Sequence, residues 1–305
     1  MSEYHNPVLL NESVDALVWN PDGIYVDATF GGGGHTRHIL SKLSAKGRLI
    51  AFDRDSDAIG NVPDDVRFTL VNHNFAWIKQ FIRYYHGLPL HGILADLGIS
   101  SHQIDEPSRG FAHRFDGPLD MRMDRNAKLS AQTVVNNYSE DALKTLFYKY
   151  GEIPNSNKLA ATIVSGRKSG QVNTTEEFKT LISDCVNKGT PAKYLSQVYQ
   201  AIRIEVNGEM KALENLLKYS SDLIIPEGKL VMISYHSLED RMVKNYLQSG
   251  NFNGDKITDM YGNLHKPFDA KPSKAIAPSE AEIKENKRAR SAKMRVGIRN
   301  TWKTK

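Results

Sequence analysis

Four consecutive glycines, Gly31 to Gly34, follow directly on the apolar run Ile24, Tyr25, Val26 and constrain this chain more than any other stretch. Glycine serves where a Cβ cannot be tolerated or where φ must be positive. Four of them behind a strand therefore predict a backbone cradle for a ligand. The next apolar run, Leu49 to Phe52, closes on Asp53, 20 residues beyond Gly33. A carboxylate at that spacing is placed to accept hydrogen bonds from ribose hydroxyls. Two nucleotide motifs fail here. Gly-x-Gly-x-x-Gly counted from Gly31 or Gly32 puts its third glycine on Thr36 or Arg37, and the Walker pattern needs a lysine that is absent between Gly31 and His38. What remains is an adenosine-bearing ligand without a pyrophosphate, a methyl donor of the S-adenosylmethionine type. The competing reading is a flexible surface turn.

A chain of 305 residues can bury a full core and has room for one domain with a sizeable insertion, or for two domains. With 40% hydrophobic and 25% charged residues it has the composition of an ordinary soluble protein. No apolar run approaches a membrane span, and Met1 to Pro7 lacks the layout of a signal peptide, so the expected compartment is the cytoplasm. The single cysteine, Cys185, excludes an internal disulfide and a cysteine-based metal cage and reads as a small buried apolar side chain. No metal site is expected. The formal charge of +5 is unevenly spread. Residues 284–305 hold nine bases (Lys284, Lys287, Arg288, Arg290, Lys293, Arg295, Arg299, Lys303, Lys305) against Glu285, which leaves a slightly acidic remainder. Such a segment predicts a polyanionic partner, its alternative being a solvated tail.

Five runs have the length and content of buried strands: 24–30, 48–52, 66–71, 92–97 and 229–235. Helical stretches such as 36–43 and 75–85 separate the first four, which implies a parallel, doubly wound α/β sheet with ligands beyond the strands' C-terminal ends. Gly31, Asp53 and Asp96 fall at such ends. The long gap before the fifth run reads as an α-helical insertion, with helices over 140–150, 159–164, 175–186 and 198–219. Residues 251–285 read as a long irregular connection before a last strand at 293–298.

Three further segments carry chemistry. Asp96 ends the fourth strand ahead of Leu97-Gly98-Ile99-Ser100-Ser101-His102-Gln103, beside the expected ligand; alternatively it forms an Asx turn or helix cap. The stretch Arg109 to Asp124 mixes bases, acids and aromatics. It suits an ordered loop that stacks and hydrogen-bonds a splayed nucleobase, and equally a self-paired structural loop. At the end of the fifth strand, Ser237 with Asp240 makes a capping-box pattern, leaving His236 on the same sheet edge.

These segments, together with His5 to Leu10, Tyr150-Gly151-Glu152, Gln200 to Asn207 and Lys287 to Arg295, resemble the bacterial 16S ribosomal RNA cytosine-N4 methyltransferases over nearly the whole chain. The string Asp-Gly-Pro-Leu-Asp-Met-Arg-Met-Asp at 116–124 is the most specific of them. The resemblance implies a Rossmann-like class I S-adenosylmethionine-dependent methyltransferase sheet with an inserted α-helical subdomain: residues 1–110 and 206–305 for the methyltransferase domain, with a basic C-terminal segment, and 111–205 for substrate recognition. It implies donor contacts from Gly33, Gly34, His35, Asp53, Phe75, Asp96 and Gln103, with Phe75 packed on the adenine. The implied reaction is methylation of the N4 amine of a cytidine in the decoding centre of 16S rRNA, in the small ribosomal subunit or a late precursor, without a membrane. A second copy of the chain is a further candidate partner.

Amino-methyltransferases often carry Asp/Asn-Pro-Pro-Tyr where this chain has Asp96-Leu97-Gly98-Ile99. Asp96 is then assigned to the donor, and Asp120 or His236 is the candidate acceptor of the amine proton. Residues 154–157 and 188–197 depart from the family pattern within the insertion. A non-catalytic RNA-binding factor and a nicotinamide-dependent oxidoreductase are the rival readings.

Overall fold

The computed structural model describes residues 7–187 and 189–302. His5 and Asn6 of the N-terminal motif, Lys188, and Lys303 and Lys305 of the basic segment lie outside them. The chain divides into two compact units, one running to Gly98 and resuming at Met210, the other Ile99–Glu209.

The first unit is built on a seven-stranded sheet. Its elements up to the division are α1 (Leu10–Leu17), β1 (Ile24–Asp27), α2 (Gly34–Lys42), β2 (Arg48–Phe52), β3 (Phe68–Val71), α3 (Ile78–Tyr84) and β4 (Leu90–Asp96). The strand order is β3-β2-β1-β4 and then three strands from the C-terminal part. β1 to β4 pair in parallel, as alternating strands and helices predict. Each central strand is apolar on both faces. Val26, Ile50 and Ile93 pack with Ile78, Ile82 and Leu216, whereas Tyr25, Leu49 and Leu94 pack with Val14, Leu17 and Ile39. Two-sided burial is why these strands read as continuous apolar runs.

The second unit holds α4 (Ser101–Asp105), α5 (Ala131–Asn137), α6 (Glu140–Gly151), α7 (Ser156–Gly166), α8 (Thr175–Leu181) and α9 (Pro191–Asn207). They enclose one apolar cluster that includes Val134, Leu143, Phe147, Leu159, Phe178 and Ile202. Cys185 is buried in it, as its composition implies, and its thiol donates to Thr162 Oγ1 (3.3 Å). The helical unit begins earlier than residue 111. Arg109 donates to the carbonyls of Arg122 and Met123 and accepts the Met121 N–H, while Phe111 lies in the cluster, so 99–110 belong with it. Residues 154–157, read as a departure from a continuing helix, hold a break: α6 ends with Glu152 at φ +51° and α7 starts at Ser156.

The chain returns through α10 (Glu209–Leu223), β5 (Ile224–Ser234), α11 (Ser237–Ser249), β6 (Phe268–Ala270), α12 (Glu280–Glu285) and β7 (Lys293–Arg299), and the sheet continues β4-β5-β7-β6. β5 is parallel to β4. β7 runs antiparallel to both β5 and β6. The stretch 198–219 is two helices, because Gly208 at φ +58° ends α9. The connection 251–285 contains β6 and α12. Neither carries enough periodicity to announce itself.

Candidate active site

The sheet reverses its winding between β1 and β4, and the loops beyond their C-terminal ends form the crevice that such a sheet offers to ligands. Asp27 ends β1. Its Oδ1 accepts the Thr29 N–H (3.1 Å) and its Oδ2 the Thr36 hydroxyl (2.8 Å), while the Asp96 N–H donates to Thr29 Oγ1 (2.7 Å). The two strand ends are thus stitched together beneath the glycine loop.

The loop itself requires glycine. Gly33 sits at φ +75° and precedes the first turn of α2, and a Cβ there would stand 3.0 Å from both Arg37 Nη1 and the Phe30 ring. A Cβ on Gly34 would overlap Pro7 Cγ at 2.1 Å. From the outer side Arg37 donates to the Gly32 carbonyl (2.7 Å), and the Asn61 amide donates to that of Gly31 (3.0 Å). A braced turn with bare main chain is a cradle and not a flexible surface loop.

Asp53 faces this loop from β2. Its Oδ2 accepts the Gly31 N–H (2.8 Å) and its Oδ1 the Asp55 N–H (2.9 Å). A carboxylate has about four acceptor positions, so two stay available to ribose hydroxyls. Burial pushes the Asp53 carboxyl up to about 6, against the opposing pull of the Asp55 and Gly31 amides. The folded chain therefore binds this proton more tightly than the unfolded chain. The stabilisation is full below the ordinary carboxylate range and is lost as pH rises through about 6. A ribose that donates to the ionised carboxylate reverses the preference, so donor affinity is expected to drop about tenfold per pH unit below 6. Calorimetric titration between about pH 5 and 7 measures this; a flat profile would mean that the sugar does not engage Asp53.

Asp96 is more enclosed. Burial raises its proton affinity against the pull of the His35 imidazole, whose Nδ1 stands 4.0 Å from Oδ2, and the Tyr235 hydroxyl donates to the carboxylate. Tyr235 is itself held well above the usual phenol range by burial and by Asp96, so it remains a donor. Among the described residues the buried Asp96 Oδ1 has no hydrogen-bond partner. A buried acceptor left open in a crevice fits a ligand that brings a donor, as the ammonium of a methionine moiety does. His35 is buried in α2, with Nε2 3.2 Å from the Val8 carbonyl. Phe75 lies beyond β3 in a turn capped by Asn74, its ring half-buried against the Phe52 cluster. Thus Gly33, Gly34, His35, Asp53, Phe75 and Asp96 share the C-terminal edge of one sheet. Asp27 is the residue that motif reading left without a role, although its place at the end of β1 was visible.

The other three candidates have local duties. Gln103, in the helical unit, closes a capping box: its Oε1 accepts the Ser100 N–H (3.2 Å) and its N–H donates to Ser100 Oγ (3.1 Å). In the same unit Asp120 accepts Arg122 Nε and Nη2 (2.7 and 2.8 Å). Burial raises its proton affinity, but the Arg122 hydrogen bonds outweigh this and hold it below the usual carboxylate range. The stretch Arg109–Asp124 is accordingly self-paired at this point. His236, and not Ser237, caps α11, with Glu239 in place of Asp240 as its counterpart. Its Nδ1 accepts the Glu239 N–H (3.4 Å), and Nε2 stands 3.1 Å from Glu239 Oε1, near but not aligned for a hydrogen bond. Asp240 instead binds Arg295 Nε (2.6 Å) and Lys293 Nζ (3.2 Å).

Residues 2–300 match the MraW methylase family. The chain belongs to the MraW methylase family. Relatives named ribosomal RNA small subunit methyltransferase H are 52% identical in Christiangramia forsetii (97% of this chain, 98% of that one) and 50% identical in Bacteroides thetaiotaomicron (96% of each). A solved rRNA methylase from Streptococcus thermophilus aligns with 94% of this chain and 92% of that one at 12% identity and a TM-score of 0.38. The fold is the Rossmann-like class I methyltransferase sheet with a helical insertion. Family and fold imply S-adenosylmethionine as donor, and the cradle, Asp53 and the open Asp96 oxygen fit it. A methylase family excludes the nicotinamide oxidoreductase reading. Among the described residues no helix is long and apolar enough to cross a membrane.

Proposed function

We propose that this chain methylates the N4 amine of a cytidine in the decoding centre of 16S rRNA, within the small ribosomal subunit or a late precursor. The carrying observation is the cradle and carboxylate at the sheet's reversal point, in a chain that aligns along nearly its whole length with relatives bearing that rRNA methyltransferase name. Gly33 and Gly34 offer bare main chain, Asp53 the sugar contact, Phe75 a face for the adenine, and His35, Asp96 and Gln103 complete the donor set. When bound, S-adenosylmethionine supplies a methyl already activated on a sulfonium sulfur. The chain's own task is to hold the amine in line, exclude water and receive a proton.

Local bonding ranks the two acceptor candidates. With Nδ1 accepting a backbone N–H, a neutral His236 ring carries its proton on Nε2 and has no lone pair to spare. Asp120 already accepts three Arg122 N–H groups, which leaves about one of its four acceptor positions, and its proton affinity is lowered, so it suits accepting an amine N–H hydrogen bond more than retaining the proton. Mass mapping of nucleosides from 16S rRNA, in cells with and without the gene, tests reaction and substrate together. One cytidine is expected to lose its N4 methyl group and regain it on complementation. An unchanged map would refute the assignment.

A further inference from the structure

Of the nine bases in the C-terminal segment, three are committed to the fold: Lys293 and Arg295 bind Asp240, and Arg299 is buried among carbonyls. Lys284, Lys287 and Arg290 are exposed, and none of them forms an ion pair among the described residues. We infer that Lys284, Lys287 and Arg290 form an edge that grips the phosphate backbone of RNA. The inference rests on the rRNA reading above and adds the surface by which the substrate is held.

Lys287 and Arg290 lie three apart in the 3-10 turn Lys287–Ser291. Side chains so spaced eclipse one another, and a rise of about 2 Å per residue separates them by about 6 Å along the axis. That separation is comparable to the distance between successive phosphates on a strand. The turn is anchored. Asn286 caps it by accepting the Arg288 N–H (3.1 Å), and Ala289 and Ala292 are buried in the same apolar cluster as β7 residues Met294 and Val296. A cation pair on a fixed backbone loses little entropy when it meets an anion. Lys284 adds a third charge from the last turn of α12. That helix's Glu282 is turned away, its Oε1 accepting the Leu9 N–H (2.7 Å). Arginine can take a phosphate bidentately and lysine as a point charge. An acidic protein surface would need the same charges but would not follow phosphate spacing.

The full chain is titrated against unmodified 16S rRNA and, in parallel, against purified small subunits over a range of salt. Against the wild type, the triple variant K284A/K287A/R290A is expected to bind both probes more weakly and to lose about 2 to 3 from the slope of log affinity against log salt, at roughly 0.7–0.9 per phosphate. The control variant K211A/K218A removes exposed lysines already paired with Glu214 and is expected to keep the wild-type slope. Donor affinity stays constant throughout. Equal slopes for the triple variant and the wild type would overturn the inference, as would a defect confined to small subunits, which would point to a ribosomal protein. A wild-type chain that binds neither probe would instead overturn the rRNA reading on which the inference stands.

Discussion

Replacing Asp53 by alanine is expected to weaken donor binding by a factor of roughly a hundred to twenty thousand. Two hydrogen bonds from ribose hydroxyls to a buried carboxylate contribute about 1.5–3 kcal/mol each, or about 3–6 kcal/mol together, and the factor follows directly. The same carboxylate ties the Gly31 N–H to β2 and holds the Asp55 turn, so the alanine variant also loosens the cradle from below. Asp53→Asn separates the two effects. Its amide oxygen can still accept the Gly31 N–H, but the charge is gone and the remaining affinity should no longer vary with pH near 6. Calorimetric titration of wild type and both variants reads this directly. An alanine variant that bound the donor within a few-fold of wild type would show that the sugar is held elsewhere.

How much of this was visible beforehand depended on whether the signal was local. The glycine turn, Asp53 and Asp96 could be located because strand ends are marked by where apolar runs stop, and β1, β2 and β4 are buried on both faces. The strands at 24–30 and 66–71 read too long, the first because Ala28 to Phe30 continue past its last paired residue, Asp27, and the second because Val66 and Arg67 precede its first, Phe68. Helix 198–219 read as one because its apolar periodicity runs across Gly208, whose positive φ is set by the folded chain. β6 has only three residues and takes its strand geometry from β7. The cap of α11 was misplaced by one residue: the serine pattern is statistically stronger, but Glu239 closes the box with His236 and Asp240 is drawn away by Lys293 and Arg295. That last pairing spans more than fifty residues and three elements, so no reading of adjacent residues could divide the basic segment into structural and exposed halves.

Arg299 provides the sharpest measure of that division, and its replacement by alanine is expected to lower the melting temperature by roughly 10 °C. It lies on β7 opposite Phe268 of β6 and is only 8% exposed. Its guanidinium donates to the carbonyls of Ser221 (2.9 Å), Pro267 (3.2 Å) and Asn300, joining the end of α10 to the edge of the sheet. Burial lowers its proton affinity, but an arginine remains charged, and those carbonyls are what compensate the desolvated cation. Truncation leaves the acceptors unpaired beside a cavity, a loss of about 3–5 kcal/mol. A lysine can place one ammonium but not a planar fork of donors, so Arg299→Lys should fall between the two. Lys287→Ala, on the exposed half, should leave the melting temperature unchanged while reducing affinity for RNA. If Arg299→Ala also melted within about 2 °C of wild type, β7 would contribute little to the sheet and the segment would behave as the solvated tail that its charge alone suggests. A large drop confined to Arg299 would mean that one run of basic residues serves two physical ends, cohesion where it is buried and attraction of phosphate where it is not.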